Sequence, residues 1–161
     1  MSLIDEIKHS HELADASMER MKACAAVCDK DGFYKAMHDF ICLRFFISGI
    51  ADDEDNLERL AEISLKRIFD LTGGNGLGGD VSLKCTGSSS VKEKIILVEL
   101  LLKKQLGASL DPFKAAYIET VKELADTLWI GLPSSSGSRR IGCRPPLCGK
   151  PGLSGFPALH I

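Results

Sequence analysis

The sequence predicts an all-α fold, a small helical bundle of about six helices, and three observations carry that reading. Apolar residues recur three or four positions apart through most of residues 2–129, the period of a helix face. Cap and stop residues punctuate those stretches at helix-length intervals. Only Val81-Ser82-Leu83-Lys84-Cys85 reads, briefly, as a strand.

Residues 2–29 place Leu3, Ile4, Ile7, Leu13, Ala14, Met18, Met21, Ala25 and Cys28 on one face, an amphipathic first helix. Asp29-Lys30-Asp31-Gly32 closes it, with Gly32 as the expected C-terminal stop. A second helix is expected over residues 33–51. It is apolar on nearly all sides from Phe40 onward and therefore central. Asp52-Asp53-Glu54-Asp55 is expected in the first turn of a third helix, where the macrodipole favours negative charge. That helix carries the stripe Leu57, Leu60, Ala61, Ile63, Leu65, Ile68 and Leu71.

Thr72–Gly87 is glycine-rich and breaks the pattern. Ser88-Ser89-Ser90 then caps a fourth helix, and Glu93, three residues after Ser90, has capping-box spacing. The fourth helix ends at Gly107. A short fifth begins at Asp111-Pro112, where proline suits the first turn, and the sixth starts at Thr120 and runs to about Trp129. The resulting division is a helical extension over 1–71, a Gly-rich loop over 72–87, a helical half over 88–132 and a tail over 133–161.

The chain has 161 residues, 45% of them hydrophobic, with 20 basic residues against 22 acidic. A chain of that size buries enough surface to fold without a disulfide or metal. The near-neutral balance gives no electrostatic case for nucleic acid. The tail differs in kind: it holds five of the six prolines and four basic residues, and no acid. It reads as a flexible basic tail, a read-through extension or a partner-binding arm, and not as part of the fold.

No signal peptide pattern opens the chain. The most apolar stretch, Phe40–Ala51, has 12 residues and includes Arg44, short of the ~20 that span a bilayer. A cytoplasmic protein without a membrane segment is expected. Cys24, Cys28 and Cys42 fall in helical patterns and are expected as reduced, mostly buried thiols.

The stretch 88–129 offers Ser88-Ser89-Ser90, a long helix from Val91 to Gln105, Leu106-Gly107, Leu110-Asp111-Pro112, then Ile118-Glu119-Thr120-Val121 and Lys122-Glu123-Leu124. In that order it resembles the second half of an acyl or peptidyl carrier domain. The resemblance implies a helical bundle that holds an acyl, aminoacyl or related group for partner enzymes. It implies a 4′-phosphopantetheine arm on Ser90, Ser89 or Ser88, with the phosphodiester at a helix N-terminus. The family's attachment serine stands in Asp-Ser-Leu, and neither flanking residue is present here. The helix after it is usually acidic, whereas Lys92, Lys94, Lys103 and Lys104 outnumber Glu93 and Glu99.

Other motifs carry less chemistry. Gly74-Asn75-Gly76-Leu77-Gly78-Gly79 satisfies G-x-G-x-x-G, yet a helical pattern precedes it where a dinucleotide site needs a strand. Cys24 and Cys28 lie one turn apart without the further ligands that zinc requires. His9 and His11 point to different faces, as do His38 and Asp39. Asp52–Asp55 lacks the spacing of a calcium loop. Cys85, in the loop beside Lys84 and ahead of a helix N-terminus, is the candidate reactive thiol.

Two functions follow as expectations. One is the carrier, passing a covalently held group between partner enzymes. The other is a non-catalytic interaction module, with an apolar groove that takes a partner helix. No convergent polar set marks an enzyme.

Overall fold

A computed structural model describes residues 2–74, Thr86 and 90–133. Six helices and no strand occur among them: α1 Leu3–Ala26, α2 Lys30–Arg44, α3 Leu57–Thr72, α4 Val91–Leu106, α5 Pro112–Ala115 and α6 Val121–Gly131. The fold is all-α. Most of the Gly-rich loop, including Asn75–Gly79 of the G-x-G-x-x-G pattern and the strand-like Val81–Cys85, and nearly all of the tail lie outside the described residues.

Local chemistry explains where the helices begin. Ser2 and Asp5 form a reciprocal capping box on α1, and Thr120 and Glu123 form one on α6. Asp111 caps α5, whose first residue is Pro112.

Three expected boundaries are corrected. Gly32 does not stop α1: the Asp29 carboxylate accepts from the Gly32 amide at 2.9 Å, which makes Asp29 the cap of α2 and places Gly32 in its first turn. The acidic run Asp52–Asp55 precedes α3 rather than opening it, because Asn56 caps that helix by accepting from the Arg59 amide at 3.0 Å. Finally, α2 ends at Arg44, seven residues short of Ala51, with Phe46 at φ 59°.

The early end of α2 has a tertiary cause. Phe46 donates to the Leu43 carbonyl and Ile47 to the Cys42 carbonyl, a left-handed helix end of the kind glycine usually supplies. Phe46 is held there by burial and by Arg67, whose guanidinium lies 4.4 Å from its ring centroid. The Ser64 hydroxyl meanwhile donates to the Phe45 carbonyl at 2.6 Å. Phe45, Ile47 and Ala51 thus stay buried although the helix has ended.

One core joins both halves of the chain. Met18, Met21, Phe33, Met37, Phe40 and Ile41 from α1 and α2 meet Leu57 and Leu60 of α3, Val98 and Leu102 of α4, and Leu124 and Leu128 of α6. Phe33 and Trp129 pack edge to face with centroids 5.1 Å apart. The starts of α3 and α6 are stitched together: Leu57 donates to the Glu119 carbonyl and Val121 to the Asp55 carbonyl, both at 2.8 Å. These two bonds fix the connection after α5 against the start of α3, and so set one wall of the groove described next.

Candidate functional site

Of the residues the sequence singles out, Ser90 is described, and Cys85, Ser88 and Ser89 lie outside the described residues. Ser90 is exposed at the N-cap of α4, where its hydroxyl oxygen accepts from the Glu93 amide at 3.1 Å. It is a helix cap of ordinary geometry.

A concavity lies farther along the same helix. A groove of about 690 Å³ runs between α4 on one side and the segment Leu110–Glu119, which includes α5, on the other. Asn56 and Glu58 close one flank. Along α4 it is lined from Lys92 to Lys103, three turns and about 16 Å at 1.5 Å per residue. Ile96 and Leu100 on its lip are 53% and 54% exposed, and Tyr117 on the facing wall is 84% exposed.

Glu99 lies among those apolar residues. It is 7% exposed, and its Oε1 atom has no hydrogen-bond partner among the described residues. Burial raises its carboxyl pKa to about 7, since the charged form loses hydration without gaining a counter-ion. The sequence carries a signal for it: Glu99 is the sole charge in the apolar run Ile95–Leu102. That run reads as core, however, and only the position of Leu110–Glu119 across from it turns part of that face into a groove.

The remaining polar groups are structural. The His11 ring donates from Nε2 to the Thr86 hydroxyl, which in turn donates to the Arg44 carbonyl at 2.7 Å. Lys94, fully buried, donates to the Thr86 carbonyl at 2.6 Å and lies 5.6 Å from the Phe45 ring centroid. This knot ties Thr86 to α1, α2 and α4. His9 pairs instead with Glu12.

His38 and Asp39 face apart, as their spacing predicts. The His38 Nε2 donates to the Glu54 carbonyl at 2.6 Å, while Asp39 pairs with Arg20 at 3.1 Å. A second, smaller concavity beside them is lined by Asp52–Asp55 and Tyr34, whose hydroxyl donates to Asp55. Among the described residues no group of three or more His, Cys, Asp or Glu side chains is placed to hold a metal ion.

The cysteines divide. Cys24 and Cys42 are free thiols. Burial raises both pKa values, that of Cys42 to about 12, so the Cys42 thiol stays protonated at neutral pH. Cys28 departs from the expectation of a reduced, buried thiol: it is exposed and disulfide-bonded. Cys28 adopts φ 58° just past the end of α1.

Among the described residues no helix is long and apolar enough to cross a membrane. Compared with protein-family models, with curated proteins and with solved structures, the chain matches none.

Proposed function

We propose that the protein is a non-catalytic helical interaction module whose groove beside α4 holds a helix of a partner protein. The observation that carries this reading is the groove itself. It is elongated along three turns of α4, and it presents Ile96 and Leu100 at helical spacing opposite Tyr117. An amphipathic helix laid in such a groove covers these side chains with its own apolar positions at i, i+3, i+4 and i+7. In this reading the module is cytoplasmic.

The test is selection from a displayed library of 14-residue helical peptides with a randomised apolar face. Binders are expected to weaken at least tenfold against Ile96→Glu or Leu100→Glu, both exposed positions whose substitution leaves the helical circular dichroism unchanged. Binders indifferent to both substitutions, or no binders at all, would contradict the reading.

A second reading, covalent carriage of an acyl, aminoacyl or related group for partner enzymes, has one observation for it. Ser90 is exposed at the N-terminus of a helix of about four turns, where free N–H groups suit a phosphodiester. Bound there, 4′-phosphopantetheine would supply the thiol that carries the group. The fit is incomplete, since the Ser90 oxygen is engaged by the Glu93 amide and Ser89, not aspartate, precedes it. Intact mass after incubation with coenzyme A and a phosphopantetheinyl transferase separates the readings. The interaction module gives no gain. A phosphopantetheine-sized gain, lost when Ser88, Ser89 and Ser90 are all replaced by Ala, would establish the carrier.

A further inference from the structure

From the groove's charge pattern we infer that the partner helix carries one lysine or arginine within its apolar face, and that this cation seats against the Glu99 carboxylate. The inference rests on the groove being a helix site and adds the chemistry of its occupant.

Three observations support it. Glu99 is 7% exposed and lines the groove, so whatever fills the groove meets it. Its Oε1 has no partner among the described residues, and a buried carboxyl oxygen without a donor is a costly feature that a ligand's donor would relieve. Among the described residues no cation pairs with it. Lys103 turns toward the Leu110 carbonyl at 3.4 Å, and Lys92 is exposed seven residues earlier, at the first turn of α4. The charged groups on the facing elements, Glu58 and Glu119, are acidic and add to the attraction for a cation. An aliphatic stem with a charged end suits this site, because the stem packs on Ile96 and Leu100 while the end reaches the carboxylate.

The pairing has a defined pH dependence. Burial sets the free Glu99 carboxyl near 7, so at pH 5.5 it is protonated before the partner arrives and at pH 8 it is ionised. A cation binds the ionised form, and affinity therefore rises between those values. The other charged or titratable groups lining the groove are Glu58, Lys92, Lys103, Tyr117 and Glu119, and none is a histidine.

The peptide selection above provides the probe. Enriched peptides are expected to carry a single Lys or Arg among their apolar positions. Replacing that residue by norleucine should weaken binding to the native protein about tenfold at pH 8, an energy typical of a hydrogen bond to a charged group. The same replacement should change binding to Glu99→Gln less than twofold, and the effect should shrink at pH 5.5. Peptides that bind through an all-apolar face, with equal affinity for the native protein and Glu99→Gln, would overturn this inference and leave the groove reading standing. A selection that yields no groove binders would overturn both. Circular dichroism of Glu99→Gln confirms that the variant is folded in each comparison.

Discussion

Glu99 concentrates the physical tension of the molecule in one side chain. Its carboxyl pKa lies near 7 in the folded chain against 4.5 for a solvated glutamate, so folding favours the protonated form. The stability it contributes is full below about pH 4.5 and is lost as pH rises through about 7. A shift of that size corresponds to up to about 3 kcal/mol. Glu99→Gln mimics the protonated acid at every pH. It should leave stability unchanged at pH 4.5 and raise it by up to about 3 kcal/mol at pH 8, read from urea denaturation. An equal effect at both pH values would show that Glu99 is not desolvated. The residue was visible in the sequence as a charge inside an apolar run. Its lack of a partner was not visible, because that depends on how Leu110–Glu119 folds back across α4.

At the scale of elements, several helix ends were legible in local chemistry. Ser90, Gly107, Pro112 and Thr120 each marked a boundary that the structure keeps within a residue or two. Two misread boundaries are local caps, Asp29 and Asn56, passed over for Gly32 and the acidic run; the others are left-handed ends at residues that are not glycine. Cys28 and Phe46 close α1 and α2 in left-handed backbone without being glycine, and Phe46 is held by contacts with Arg67 on α3, which no local pattern encodes. Two substitutions test the element ends. Thr120→Ala removes the cap of α6 and should cost about 1 kcal/mol, the usual value of a lost N-cap. Gly131→Ala should cost roughly 1–3 kcal/mol, since the new Cβ would collide with the Ser109 carbonyl where the two backbones pair. Thermal or urea unfolding reads both. A neutral Gly131→Ala would mean that the 109–131 contact is loose, and with it the placement of the groove's far wall.

For the whole molecule, the described residues of the helical extension and of the helical half share the main core, so the two are expected to unfold together. Trp129, the only tryptophan, packs on Phe33 and reports the contact between α6 and α2. Its fluorescence transition should coincide with the loss of helical circular dichroism, and a Trp129 transition that precedes it would show two separable units. The start of α3 and the α5–α6 connection, which form part of the groove, are joined by the backbone bonds Leu57 to Glu119 and Val121 to Asp55. The claim that this groove takes a helix is tested most directly by titrating a selected helical peptide into ¹⁵N-labelled protein. Amide shifts concentrated in Lys92–Lys103 and Leu110–Glu119 are the expected result. Shifts centred on the α1–α2 face, with those two segments unmoved, would contradict it.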